Sequence, residues 1–405
     1  MKILQIVNLG YVAGGAEKSV HFIREGLVAR GHEVLVLATD KGLAGEDSFA
    51  DVVVPQIAGS ALKRLASYAW YGAGRQAILA AIRQFAPDVV HLHTIGEFSP
   101  AVFWALGGVP AVLTVHGPEE FMLHLLAWQL PASDYRNESF QWADLTVIGR
   151  LRYAYQRFLQ RPLYLLGARR HLKLILAPSR FMAGILEQDA PAIPVRQLYN
   201  GMRLPAAEPL PEKPAVLYVG RLESVKGVDQ LLHAMRRLVV SIPAATLVVV
   251  GDGSQRRGLE ALSARLGLSE CVRFAGWVPS SDIRQYYAAA QVVAVPSLCP
   301  ETLAMVTVEA MAFGRPVVGT DVGGIPEVVV DTVTGRLVKP GDAQGLADAL
   351  AEILGDPERA RRMSIAARAA SEAFGAEYFL DRLEETYGEL ARSRRRQTLS
   401  AWLPQ

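Results

Sequence analysis

At 405 residues the chain exceeds the size at which single hydrophobic cores stop growing, so two domains are expected, and 51% hydrophobic residues can fill two cores and exclude broad disorder. The formal charge of +2 gives no reason to expect a nucleic-acid partner, and the two cysteines, Cys271 and Cys299, lack metal-ligand spacing, so neither a disulfide framework nor a zinc site is expected. The opening run MKILQIVNLG, interrupted by Asn8, is too weak for a secretory segment, and no run of about 18 apolar residues could span a bilayer, so a cytoplasmic protein with at most peripheral membrane contact is expected.

Residues 2 to 8 form a near-continuous apolar run, the pattern of a strand buried on both faces. The turn Gly14-Gly15-Ala16-Glu17 follows, then a helix to about Arg30 and the strand HEVLVLAT. This is a βαβ unit, and its Gly14-Gly15 turn is expected to aim a backbone nest at a ligand above the sheet. A helix over roughly 62 to 86, the strand PDVVHLHT, a helix over about 97 to 107 and the strand PAVLTVHG continue the alternation. His91 and His93 read as hydrogen-bonded histidines near strand ends. His116 differs, because it precedes Gly117-Pro118 at a strand's carboxyl end, where open α/β sheets place their ligands.

From Glu119 to about Lys173 the rhythm breaks. Phe121, Trp128, Tyr135, Phe140, Trp142, Tyr153, Tyr155, Phe158 and Tyr164 crowd this stretch. No acidic residue occurs between Leu145 and Met182, whereas Arg150, Arg152, Arg157, Arg161, Arg169, Arg170, Lys173 and Arg180 are present. Two readings stand side by side: an interfacial element near anionic headgroups, or a helical insert packed on its own domain with a solvated basic face. LKLILAPS returns to strand, Ser179 is placed to cap the next helix, and Pro205, Pro209, Pro211 and Pro214 mark a linker after Asn200-Gly201.

The second half begins a fresh alternation. The strand AVLYVG ends in Gly220-Arg221-Leu222, Lys226-Gly227 opens a helix to about Val240, and ATLVVVGDGS brings a strand and a turn at Gly251. CVRFAG, a helix at about 281 to 290 and QVVAVPS follow, then a strand at about 335 to 338 and helices over 343 to 355 and 357 to roughly 392, with a loosely ordered Arg-rich tail. Arg221 and Lys226 flank a strand-to-helix turn, and two cations there suit a diphosphate. The Lys of GRLESVKG is not followed by Ser or Thr and no GxGxxG is present, which argues against an NTPase or an NAD enzyme. In the stretch Val295 to Glu327, a helix beginning just after Glu301 would set Glu301 and Glu309 about 12 Å apart along its axis. That separation is too great for one scissile bond and suits the two ends of an extended ligand, with the N–H groups of Thr302, Leu303, Ala304 and Met305 favouring an anion between.

GRLESVKG, VGDGS, FAGWVP, VPSLCPETLAMVTVEAMAFGRPVVGTDVGGIPE and GRLVKPGD, in this order and spacing, resemble the retaining glycosyltransferases of the GT4 type. The resemblance implies an α/β protein of the GT-B fold, with two Rossmann-like parallel-sheet domains facing across a cleft. It implies an acceptor-binding domain at 1–199 carrying the 119–173 insert, a nucleotide-sugar domain at 200–375, and a C-terminal helix and tail at 376–405 packing back on the first domain. By the same resemblance Glu301 would bond the transferred sugar and Glu309 the ribose, while Arg221 and Lys226 would hold the diphosphate with help from Gly14, Gly15, Gly220, Gly251 and the amides around Ala304 and Met305. Trp277 and Val278 would border the base, and His116 would contact the donor sugar. Leu303-Ala304 departs from the Phe-Gly found in many members. The expected activity is transfer of a hexosyl unit from a nucleotide-diphosphate sugar to a glycan, lipid-linked or small-molecule acceptor with retention, the leaving phosphate taking the acceptor's proton. Neither metal nor cofactor is required in this reading. A sugar-nucleotide epimerase, a phosphorylase and a non-catalytic binding module of the same fold stay open.

Overall fold

The structure is a computed structural model of the whole chain and describes residues 1–43, 47–117, 147–279 and 281–400. Among these residues the chain forms two units, one built from 1–117, 147–202 and 376–400, the other from 203–375.

The first unit holds a parallel sheet of β1 (Lys2–Leu9), β2 (Glu33–Thr39), β3 (Val52–Val54), β4 (Val89–Leu92), β5 (Ala111–Thr114), β6 (Leu172–Ala177) and β7 (Val195–Gln197), ordered β3-β2-β1-β4-β5-β6-β7. Chain order reverses between β1 and β4, and crevices outside the carboxyl ends of strands at such a point are where these sheets bind ligands. The helix Gly15–Ala29 buries Val20, Ile23 and Leu27, spaced three and four residues apart on one face. Beside it the helix Ala376–Ser400 seats Phe379, Leu380, Leu383 and Tyr387 in a core with Ile3, Val89 and Val112. Each such side chain contributes roughly 1.5–3 kcal/mol on burial. Polar ties fix the same helix: Arg30 Nη1 donates to Asp381 and Glu384, each at 2.7 Å, and Arg196 Nη2 donates to Glu389 at 2.8 Å.

The second unit holds β8 (Ala215–Val219), β9 (Thr246–Val250), β10 (Val272–Gly276), β11 (Val292–Val295), β12 (Val317–Thr320) and β13 (Gly335–Val338), all parallel and ordered β10-β9-β8-β11-β12-β13. Its order reverses between β8 and β11. Leu231, Met235 and Leu238 from the helix Val228–Ser241 and Leu346, Leu350 and Ile353 from the helix Ala343–Leu354 cover one face of this sheet.

Several expected elements differ. The helix expected over 62 to 86 is two, Ala61–Ala69 and Gly72–Phe85, because Trp70 and Tyr71 are extended and the Tyr71 N–H is taken by Ser99 Oγ at 2.8 Å. The helix expected over 97 to 107 is replaced by 3-10 turns at Gly96–Phe98 and Pro100–Ala105, since Ser99 sits at φ 57° and Pro100 lacks an N–H to continue an α-helix. The edge strands β3 and β7 have three residues each, too short to show a period. The tail expected to be loose is helical to Ser400, continuing the helix that begins at Ala376. Within the 119–173 insert, 118–146 lie outside the described residues, with Phe121, Trp128, Tyr135, Phe140 and Trp142 among them. The described remainder is helix Val147–Tyr155, a π turn Gln156–Gln160 and helix Arg161–His171. The π turn falls where Pro162, which has no N–H, cannot bond the Phe158 carbonyl.

Candidate active site

In the second unit the carboxyl ends of β8 and β11 carry two loops that lock together. Leu298 N–H donates to the Val225 carbonyl at 2.8 Å, and Gly227, at φ 67°, lies so close that a β-carbon there would stand 2.0 Å from Pro296 O. Only glycine meets both demands. On the other side Gly324 N–H donates to the Glu301 carbonyl at 2.8 Å, and a β-carbon on Gly323, at φ 59°, would stand 2.3 Å from the same oxygen. Glu301 is thus clamped by its backbone from both sides of the loop. Its side chain receives Lys226 Nζ at 2.6 Å and Ser297 Oγ at 2.5 Å, both on Oε1. The ammonium and carboxylate are about one-fifth exposed or less, so their attraction is only partly screened.

The helix expected to begin just after Glu301 begins at Met305. Glu301 instead makes a parallel bridge to Gly323, and Thr302 and Leu303 precede the helix. Ala304 caps it in the left-handed conformation at φ 58°, ψ 67°, strained for a residue with a β-carbon. The conformation explains why glycine suits this position in the family pattern. Glu309 lies within the helix and accepts from the buried Tyr287 hydroxyl at 3.0 Å. Burial, and then the Glu309 charge, push that hydroxyl's pKa well above its ordinary value. Arg315, wholly buried, donates from Nε to the Tyr287 carbonyl at 2.8 Å and from Nη2 to the Pro209 carbonyl at 2.9 Å, fixing Tyr287 from behind; burial pulls its pKa down to about 10.

Of the remaining residues singled out in this unit, Arg221 is exposed and directly follows Gly220 at the end of β8. Gly251 N–H donates to the Gly276 carbonyl at 2.7 Å, tying the turns after β9 and β10. Trp277 follows β10 and is 73% exposed, with Val278 half-buried beside it. Cys299 is buried, and burial, then the Glu301 charge, push its thiol up to about 11, so it is a poor nucleophile. Ser297 and Tyr287 were not singled out from sequence. The PS that ends QVVAVPS, four residues before Glu301, was the available signal for Ser297, whereas Tyr287 gave none.

In the first unit, His93 and His116 follow β4 and β5 at the reversal in strand order. His93 Nδ1 lies 3.1 Å from His116 Nε2, and the His91 ring lies against His93, tilted by 36° with centroids 3.9 Å apart. His91 is held at Nδ1 by the Tyr387 hydroxyl, 2.6 Å away, and at Nε2 by the Thr114 hydroxyl, 2.7 Å away. Burial lowers His116 to about 4 and His91 to about 3, the latter helped by His116, and burial with both neighbours holds His93 well below its ordinary value. All three imidazoles are neutral at pH 7. At the other predicted site of this unit, Gly14 is extended at φ −161° and caps the helix Gly15–Ala29, with no side-chain cap bond to its first-turn N–H groups.

Two units, each built on a parallel Rossmann-like sheet, make this an α/β protein of the GT-B fold. The Glycosyltransferase Family 4 profile matches residues 13–204 and the "Glycosyl transferases group 1" profile matches residues 204–370. The chain belongs to the GT4-type glycosyltransferases. It is 29% identical to a glycogen synthase of Mycobacterium tuberculosis over 383 residues, 88% of this chain and 86% of that protein. It is 39% identical to a D-inositol 3-phosphate glycosyltransferase of Nocardia farcinica over 184 residues, 44% of this chain and about two-fifths (41%) of that relative's length. A solved structure of Anabaena HepE in complex with UDP superposes with a TM-score of 0.72 at 23% identity, covering 96% of this chain and 100% of the other.

Proposed function

We propose that the protein is a retaining hexosyltransferase using a nucleotide-diphosphate hexose, with UDP-glucose-type donors the first to test because a structural neighbour holds UDP. The observation that carries this reading is the convergence of Lys226 and Ser297 on Glu301 Oε1 at the reversal point of the second sheet. The ammonium has three donors, so it keeps its bond to Glu301 while donating to a diphosphate. Oε2 of Glu301 then accepts from a hydroxyl of the transferred sugar, and Glu309, oriented by Tyr287, accepts from the ribose. As the anomeric bond to the diphosphate breaks, negative charge grows on the leaving phosphate. Lys226, Arg221 and the amides of Ala304 and Met305 stabilise it electrostatically, without need of a metal. His116 bonds the donor sugar, and the departing phosphate receives the acceptor's proton.

Purified Glu301→Ala and Lys226→Ala should each lose about 100-fold or more in sugar transfer while keeping wild-type circular dichroism. Wild-type turnover in either would sink the assignment. Sugar nucleotide converted without an acceptor would identify an epimerase, a bound pyridoxal phosphate a phosphorylase, and no binding of UDP, GDP or ADP a non-catalytic module. Activity that survives exhaustive chelation is expected; its loss, restored by a divalent ion, would overturn the metal-free reading.

A second reading concerns an anionic membrane surface beside a lipid-linked acceptor. No helix among the described residues is long and apolar enough to cross a membrane. The segment 147–171 nonetheless leaves Leu151 at 67%, Phe158 at 73% and Leu166 at 58% exposure, with the Arg157 guanidinium over the Phe158 ring. Its other side packs on its own unit, with Tyr164 buried, Tyr155 Oη donating to the Leu65 carbonyl at 2.9 Å, and Arg161 paired to Asp189 at 3.3 Å. Flotation with anionic liposomes should be salt-sensitive and weaken in Arg150→Ala/Arg152→Ala/Arg157→Ala. Flotation unchanged by salt and by these substitutions would remove the membrane reading.

A further inference from the structure

The buried imidazoles His91 and His93 are not needed to explain the donor contacts proposed above. They belong to a polar file on one face of the first sheet, in which Gln5 of β1 stands in register with His91 of β4. His91 is bonded at both ring nitrogens by hydroxyls that can donate or accept. His93 is not bonded in this way. It is wholly buried, its Nδ1 meets His116 Nε2, and its Nε2 is buried without a hydrogen-bond partner among the described residues.

Two neutral arrangements satisfy the 3.1 Å bond between the rings. If His116 Nε2–H donates to His93 Nδ1, the His93 proton must sit on Nε2, leaving a buried N–H with no acceptor. If His93 Nδ1–H donates to His116 Nε2, the unpartnered Nε2 of His93 is only a bare lone pair, and the proton of His116 sits on Nδ1. Orphaned buried N–H groups are rarer than under-used acceptors, which decides between the two.

We propose that His93 is a positioning residue that fixes the tautomer of His116, so that His116 presents Nδ1–H as a hydrogen-bond donor. Burial, which keeps both rings neutral, supports this arrangement, and the Tyr387 and Thr114 hydroxyls hold the tilted His91 ring against His93. For the reaction, the inference rests on the glycosyltransferase reading above and sharpens it. An Nδ1–H group donates to an oxygen of the bound sugar or of the leaving phosphate, and in this tautomer it has no lone pair with which to remove the acceptor's proton.

The test uses the full chain with histidine isotope-labelled at the ring nitrogens, His116 being assigned by its loss from the spectrum of His116→Asn. The wild type should show His116 protonated at Nδ1 and bare at Nε2. His93→Leu should shift the proton to Nε2 or populate both tautomers. His93→Asn, whose amide can donate from the place of Nδ1, should restore Nδ1–H. Sugar-nucleotide turnover should fall about tenfold in His93→Leu, the worth of one net hydrogen bond, and recover in His93→Asn. A wild-type His116 protonated at Nε2 overturns the inference even if His93→Leu fails to fold. An unmoved tautomer in a folded His93→Leu, or a moved tautomer with unchanged turnover, overturns it as well. If the tautomers behave as stated but the wild type consumes no UDP-, GDP- or ADP-sugar, the tautomer assignment stands and the functional reading fails.

Discussion

The two sheets reverse their strand order in the same way, yet the groups placed at the two reversal points are chemically opposite. In the second unit the site is ionic: Lys226 and Glu301 are paired, partly exposed, and held by loops whose glycines permit close backbone contact. In the first unit it is neutral: three imidazoles, a tyrosine and a threonine share hydrogen bonds within or at the edge of the core. Charges on a pre-shaped loop suit a diphosphate, because they oppose its charge without reorganising. Uncharged donors suit hydroxyls, which gain orientation from a hydrogen bond with little desolvation of ions. The difference teaches that the same strand-order reversal can be furnished with groups of opposite polarity.

The sharpest way to break the comparison is at the clamp. Gly323→Ala puts a β-carbon within 2.3 Å of Glu301 O at positive φ, and should lower second-unit stability by about 3 kcal/mol. It should also reduce turnover about 100-fold by displacing Glu301. Denaturant melts and steady-state rates measure the two effects, and wild-type values would show that the clamp is dispensable.

An intermediate effect is expected from pH. The unfolded chain's histidines bind protons near pH 6.5, whereas His91 and His116 in the fold resist protonation down to about 3 and about 4. Between those limits the unfolded state binds more protons, so first-unit stability should fall as pH drops from about 6.5 towards 4 and hold steady above that range. Among the described residues the second unit buries no histidine, its one described imidazole, His233, being exposed. Amide exchange in β4 and β5 against β8 and β11, corrected for intrinsic rates, separates the units. Equal responses would remove the contrast.

The smallest effect should come from Ala304→Gly. Relief of the left-handed strain at φ 58° should raise the second unit's stability by about 0.5–1 kcal/mol, after the entropy lost by glycine. A chemical-denaturation midpoint reads this directly, and a destabilised variant would mean the Ala304 β-carbon contributes more packing than its conformation costs.

Much of this architecture was legible because parallel strands buried on both faces write themselves as apolar runs such as QVVAVPS and ATLVVVG. The short edge strands β3 and β7 carry no such run. The break at Trp70–Tyr71 depends on Ser99, 28 residues from Tyr71, and no local propensity announces it. For the candidate site, Arg221, Lys226, Glu301 and Glu309 could be singled out by their place at strand ends and by the family pattern. The direct pairing of Lys226 with Glu301, across 75 residues, was not, because it follows from the locking of two loops after the sheet has formed. The late start of the helix at Met305 escaped for a related reason: alanine seldom adopts the conformation that Ala304 holds here.

The helix Ala376–Ser400 fills the core over Ile3 and Val89, so the first unit is made from segments on both sides of the 203–375 unit. During synthesis the sheet of residues 2–197 therefore waits for residues 376–400, and the continuous segment 203–375 can complete its fold earlier. At about 5–20 residues per second the delay lasts tens of seconds. Throughout it an apolar face built around Ile23, Leu27 and Val89 lacks its cover, the kind of transient exposure that favours aggregation. Deletion of the final helix would make that transient exposure permanent.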